Sequence, residues 1–142
     1  MSTRSNIGIG KEDGTVDYIY CHYDGYPEGV GQCLRDHYTT PSKIQKLIDG
    51  GDISTLGPNL PSDDFVAFVE EQHAKGDTEI SEMLYFSKVM AEMTVSYNFL
   101  RNEKTSKTNV SLLTYLDDWG TSGGAEFRYL WDGERWQTLK RY

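Results

Sequence analysis

The side chains best suited to chemistry lie in one uninterrupted run, Tyr18-Ile19-Tyr20-Cys21-His22-Tyr23-Asp24-Gly25-Tyr26-Pro27. It holds a thiol, an imidazole, a carboxylate and four phenols. A metal centre does not follow from them. Cys21 and His22 are neighbours on an extended segment and so point to opposite sides, and no spaced pair of further ligands follows. The same objection meets a Cys21–His22 nucleophile pair, although Cys21 with His37, or Cys33 with His22, could meet in space. No phosphate loop, dinucleotide fingerprint, serine elbow or paired-histidine motif occurs. As a binding surface the run makes more sense, because tyrosines offer rigid stacking faces with a polar tip and lose little entropy when they bind. Bases, nucleotides and protein surfaces are all held this way.

Arg4, on the end of the neighbouring strand, and Arg35, on the helix after Pro27, are placed to make bidentate contacts to phosphate or carboxylate. The candidate ligand-binding set is therefore Arg4, Tyr20, His22, Asp24, Tyr26 and Arg35. The plainer alternative makes Tyr20 and His22 core residues and Asp24 a helix cap. His73 has the marks of a structural histidine. Trp119, beside Gly120 and Gly123-Gly124, either closes over a ligand or anchors its loop, and anchoring is the simpler role. Trp131 and Trp136 flank the final turn as a cross-strand pair.

The elements that must position these residues follow from periodicity. Residues 5–10 and 15–23 read as strands joined across Glu12-Asp13-Gly14, with Val16, Tyr18, Tyr20 and His22 on one face and Asp17, Ile19, Cys21 and Tyr23 on the other. Pro27 suits a first helical turn, and Val30, Cys33, Leu34, His37 and Tyr38 form one helical stripe. Gly29 and Gly31 within it serve either close packing or a backbone approach to ligand, with packing preferred. A second helix runs from Pro41 to Asp49 with Thr40 as N-cap, burying Ile44, Leu47 and Ile48. Residues 52–61 read as a loop, and Ser62 caps a third helix that stops at Gly76. A helical pattern over 79–91, a strand over 93–100, a polar turn over 101–109 and a short helix carrying Val110, Leu113 and Leu116 come next. The chain closes with a second hairpin, 125–131 and 135–141, around Asp132-Gly133. The fold expected is α+β, an antiparallel sheet built from the N- and C-terminal hairpins with helices packed mainly on one face, in a single domain over 1–142.

Charge and size narrow the functional classes. The 142 residues carry 22 acidic and 14 basic side chains, a net charge of −8, which argues against general nucleic-acid or anionic-membrane binding. Residues 61–92 concentrate the excess, with 8 acids against 2 bases. Their simplest role is a solvated helix face; the sharper one presents Asp63, Asp64, Glu70 and Glu71 to a basic partner. A chain of this length buries a core without disulfide or metal. The two cysteines, Cys21 and Cys33, and the absence of a signal-like apolar start make reduced thiols and the cytosol the default.

Several segments resemble a group of small phage and prophage accessory proteins. These are Ser2-Thr3-Arg4-Ser5-Asn6-Ile7, Asp13-Gly14, Ile19-Tyr20-Cys21-His22-Tyr23-Asp24-Gly25-Tyr26-Pro27, Gly29-Val30-Gly31, His37-Tyr38 and Gly51-Asp52-Ile53-Ser54. The closing Ala125-Glu126-Phe127, Tyr129-Leu130-Trp131-Asp132-Gly133 and Trp136 are similar to that group's C-terminal hairpin. The similarity spans about the first 57 residues and the last 20; the middle departs from it, and Tyr23 stands where tryptophan is more frequent. The resemblance implies a phage accessory gene acting in the cytoplasm of the infected host cell. The expectation is a non-catalytic binding protein that antagonises host defence. It would either sequester a nucleotide-like immune signal or occlude a defence protein through the acidic 63–82 segment, with no cofactor and with a homo-oligomer completing the pocket. The alternative is a small enzyme that degrades a nucleotide or modifies a host protein, using His22, Asp24 or Cys33.

Overall fold

Asp13-Gly14 and Asp132-Gly133 turn the chain for the same physical reason. Gly14 (φ +81°) and Gly133 (φ +103°) take backbone conformations that side chains oppose, and the preceding carboxylates accept the free donors of each turn. The computed structural model describes residues 2–76 and 92–141. The amides of Arg135 and Glu134 hold the Asp132 carboxyl down at about 2. The anion therefore supports its turn above the ordinary carboxylate range, and that support is lost as the pH falls toward 2.

The first turn joins β1 (Ser5–Gly10) to β2 (Thr15–Cys21), with Ile7 opposite Ile19. The last joins β6 (Phe127–Trp131) to β7 (Trp136–Lys140), and the indoles of Trp131 and Trp136 meet edge to face at 5.5 Å across it. Between them lie α1 (Gln32–His37), α2 (Pro41–Asp49), β3 (Ile53–Thr55) and α3 (Asp63–Ala74). After the segment outside the described residues come β4 (Val95–Ser96), α4 (Tyr97–Arg101), β5 (Lys107–Ser111) and α5 (Leu112–Asp117).

The fold is α+β, with both hairpins where the sequence placed them, but the sheet is mixed rather than wholly antiparallel. β1 runs parallel to β6, Ile7 level with Tyr129, and β2 meets β3 in parallel at Cys21 and Ile53. The order is β4-β3-β2-β1-β6-β7, with β5 also on β2. Alternation determines which residues face the core, but it does not set the direction of a neighbour that arrives after most of the chain has intervened.

One face of the sheet is closed by α1 and α2, whose Val30-side turn, Leu34, Tyr38, Ile44, Leu47 and Ile48 pack on Ile7, Ile19, Cys21, Ile53 and Tyr129. Gly31 lies against the Tyr129 ring, so the packing role holds there. The other face is covered only in part: α5 places Tyr115 against Val16, Tyr18 and Leu130. α3 lies on α4 and β4 through Val69, Phe99 and Val95, and the His73 imidazole bonds to the Phe99 carbonyl at 2.8 Å, a structural histidine.

Arg128 organises the partly covered face. It is fully buried and has no carboxylate partner among the described residues. Its guanidinium donates to Asn6 Oδ1 (2.8 Å), to the Tyr115 (2.7 Å) and Asp118 (3.0 Å) carbonyls, and to Thr121 Oγ1 (3.0 Å). The rings of Tyr115, Tyr18 and Trp119 surround it at 4.7, 5.2 and 5.3 Å. Carbonyls left open at the end of α5 thus find a cation, and Trp119 anchors its loop.

Local differences have local causes. Ser62 caps α3, its Oγ accepting from the Phe65 amide at 3.2 Å, whereas Thr40 makes no side-chain cap to α2 and Pro41 alone starts that helix. The loop expected over 52–61 contains β3. The strand expected over 93–100 shrinks to Val95–Ser96, because Ser96 accepts from the Phe99 amide at 3.0 Å and opens α4. The turn over 101–109 runs into β5. The helical pattern over 79–91 lies outside the described residues. Among the described residues, no helix is long and apolar enough to cross a membrane.

Candidate functional site: a groove where two strands part

On its outer edge β2 has two neighbours. β5 pairs with Thr15, Val16 and Tyr18, and β3 takes over at Cys21, followed by the His22 and Tyr23 amides bonding to Ile53 and Ser54 carbonyls. Between them the Tyr20 amide has no strand partner; the Asp52 carboxylate accepts it at 2.8 Å. The second oxygen of Asp52 accepts from the Thr105 hydroxyl at 2.7 Å, and the Asp52 amide bonds back to the Thr105 carbonyl. One carboxylate therefore clamps the segment before β5 to the end of β2. The surface opens on both sides of the clamp.

The first hollow, about 640 Å³, is lined by Tyr20, His22, Tyr23, Tyr97 and Arg101 over Ser54, with Asp52, Thr105, Leu100 and Glu103 at its sides. The second, about 500 Å³, lies between Lys107, Ser106 and Tyr18 on one side and the Thr121–Gly123 loop on the other. Tyr20, Asp52 and Thr105 belong to both and form the ridge between them. Each volume falls within the roughly 300–1,000 Å³ typical of small-molecule sites.

The aromatic groups are held in place. The Tyr20 hydroxyl and His22 Nδ1 share a hydrogen bond of 2.8 Å, and Tyr23 meets the imidazole edge to face at 4.5 Å. Gly123 (φ +71°) brings its loop against the Tyr20 ring; its backbone conformation opposes a side chain, and a Cβ there would press on the ring at 3.2 Å. The Arg101 guanidinium lies 5.0 Å over the Tyr97 ring. Burial pushes the Tyr20 phenol up, against the pull of Arg4, and pushes the Tyr97 phenol up against that of Arg101. Both stay protonated donors at neutral pH.

Of the six residues singled out in the sequence, the structure unites two in the groove. Tyr20 and His22 line it; the exposed Arg4 lines neither hollow, its guanidinium lying against Gly124 and near enough to act on the Tyr20 phenol. The others sit apart. Asp24 (φ +56°) turns the chain out of the sheet, its carbonyl taking the Val30 amide, so it caps through backbone rather than carboxylate. Tyr26, exposed, donates to Asp24 Oδ1 at 3.4 Å. Arg35, on α1, donates to the Pro27 carbonyl at 3.2 Å. None of these three lines either hollow. Asp63, Asp64, Glu70 and Glu71 are all exposed on α3. Asp63 is paired with Lys46 (2.9 Å) and Glu71 with Lys75 (3.1 Å).

The thiols are far from reactive. Burial pushes Cys21 up to about 12 and Cys33 to about 11, so neither carries appreciable thiolate at neutral pH. A thiol-modifying reagent at pH 8 is expected to label native protein slowly, at half-buried Cys33 before Cys21, and denaturant to release fast labelling of both. Rapid labelling of Cys21 in the native state would contradict this packing. Since both values are raised above those of the unfolded chain, these thiols favour the fold at and below neutrality. That contribution declines as the pH rises from about 8.5 toward 12.

Tyr97, Arg101, Asp52, Thr105 and Lys107 were not found from the sequence as site residues. Asp52 had one signal, its place in the Gly51-Asp52-Ile53-Ser54 segment; the others fall in a region whose elements are too short to show periodicity. Among the described residues no three His, Cys, Asp or Glu side chains gather as a metal site. No family model matches the chain, and no curated protein or solved structure shows significant similarity to it.

Proposed function

We propose that this is a phage-encoded, non-catalytic binding protein that sequesters a nucleotide-like signal of host defence in the groove over Tyr20. The observation that carries the reading is the groove's chemistry. Four aromatic side chains, Tyr20, His22, Tyr23 and Tyr97, share the groove with two cations, Arg101 and Lys107, that make no ion pair among the described residues, and Arg4 stands near enough to act on the Tyr20 phenol. On a chain of net charge −8, the two cations match the groove's carboxylates, Asp52 and Glu103. Rings for stacking and guanidiniums for phosphate are what a nucleotide needs. The phage origin rests on the sequence resemblance alone.

An enzymatic reading has less support. His22 is bonded to Tyr20, and to Ser2 at the 3.5 Å limit, with no carboxylate behind it among the described residues, and both thiols are held protonated. Occlusion of a defence protein by α3 is weakened because two of its four acids already pair within the chain. Calorimetric titration with a panel of mononucleotides, followed by chromatography of the recovered ligand, tests the reading. Saturable binding with the nucleotide recovered unchanged is expected. Turnover beyond the protein concentration, or no binding by folded protein, overturns it.

A further inference from the structure

The groove is divided, and its halves differ. The first hollow is ringed by aromatics, with Arg101 at its mouth. The second has no comparable stacking surface: Tyr18 is 3% exposed, and its hydroxyl is committed to the Thr121 carbonyl at 2.9 Å. Around Tyr18 stand Ser106, Ser122, Thr121 and Lys107. Its floor is fixed in advance. Asn6 bonds to the Ser122 carbonyl (3.1 Å) and Arg128, and Ser122 Oγ bonds to the Trp119 carbonyl (2.6 Å). Above that floor the exposed Ser106 hydroxyl and Lys107 ammonium carry no partner among the described residues. One free hydroxyl and one cation over a rigid polar floor, with no stacking ring of its own, suit a sugar and a phosphate better than a second base.

A diphosphate crossing the ridge passes the Asp52 carboxylate, whose oxygens are engaged by the Tyr20 amide and the Thr105 hydroxyl but whose charge remains. Cations on both sides offset it: Arg101 in the first hollow, Lys107 in the second, and Arg4 close enough to the Tyr20 phenol to oppose the effect of its burial. Each hollow alone is of small-molecule size, and the second extends the groove beyond the Tyr20–Thr105 ridge.

We infer that the ligand of this groove is bipartite: a nucleobase stacked among Tyr20, His22, Tyr23 and Tyr97, joined by a diphosphate over the Tyr20–Thr105 ridge to a second sugar beside Ser106 and Lys107. Nucleoside-diphosphate sugars have this chemistry. The inference rests on the proposed nucleotide-binding role and adds the class of nucleotide.

Titration of the full chain with AMP, GMP, CMP and UMP, with ADP-ribose, GDP-mannose and UDP-glucose, and with cyclic dinucleotides separates the two. For at least one base, the diphosphate sugar is expected to bind roughly tenfold or more tighter than the matching monophosphate. Lys107→Glu, an exposed change on β5, brings the sugar's affinity down toward the monophosphate's, with thermal unfolding reporting that the fold is kept. Equal affinity of monophosphate and diphosphate sugar overturns the second subsite while leaving nucleotide binding in place. Tighter binding of a cyclic dinucleotide than of any diphosphate sugar overturns the sugar assignment. Binding of none of these by folded protein overturns both.

Discussion

Replacing Arg128 by alanine is expected to lower stability by about 4 kcal/mol, a large part of what a domain of this size possesses. The cost has two sources. The side chain fills the space between β1, β6 and α5, so its loss leaves a cavity lined by Tyr18, Tyr115 and Trp119. Its donors also satisfy Asn6 Oδ1 and the Tyr115 carbonyl, which stay buried when the guanidinium goes. A buried acceptor left without a donor costs about 1–3 kcal/mol. Arg128→Lys keeps the charge but cannot reach Asn6, the α5 carbonyls and Thr121 together, so an intermediate loss of about 2 kcal/mol is expected. Denaturant unfolding measures both; a loss below about 1 kcal/mol for the alanine variant would show that the caged cation does not hold this face together.

The second large effect is on binding. Tyr97→Ala removes a ring from the first hollow and is expected to weaken nucleotide binding roughly 5- to 150-fold, the range set by about 1–3 kcal/mol for a stacked base. Tyr97→Phe keeps the ring and should bind within about threefold of the native chain, which separates stacking from a hydroxyl contact. Arg101→Ala should cost about tenfold, more at low salt than at high, because an exposed guanidinium is screened. Glu70→Ala on α3 should leave nucleotide binding unchanged. If α3 rather than the groove meets the partner, the pattern reverses: the Tyr97 and Arg101 variants bind normally, and charge removal on α3 weakens association.

The hairpins were legible because Asp-Gly turns and strict alternation are local signals, and both survive in the structure; the alternation fails at Tyr23, expected on the face opposite Tyr20 and His22, because β2 ends at Cys21 and Tyr23 joins them in the first hollow. Tyr20 and His22 were legible as a pair for the same reason. What the sequence hid was non-local. Arg128 reads as one more polar residue alternating with Phe127 and Tyr129, and only the arrival of α5 above it turns it into a buried cation. Tyr97 and Arg101 lie on a five-residue helix too short for a periodic stripe, and chain reversals elsewhere carry them to the mouth of the groove. Arg35, Asp24 and Tyr26 looked contiguous with the site because they follow Tyr20 closely in sequence. The turn at Asp24 sends them toward the helical side.

The central claim is retention of an intact nucleotide in the groove. The most direct test is mass spectrometry of small molecules released by heating protein purified from phage-challenged, defence-competent cells. If the proposed binding holds, an unaltered nucleotide is released at about one per chain and is lost from the Tyr97→Ala variant. Folded native protein that emerges empty from such cells and takes up no added nucleotide would contradict it.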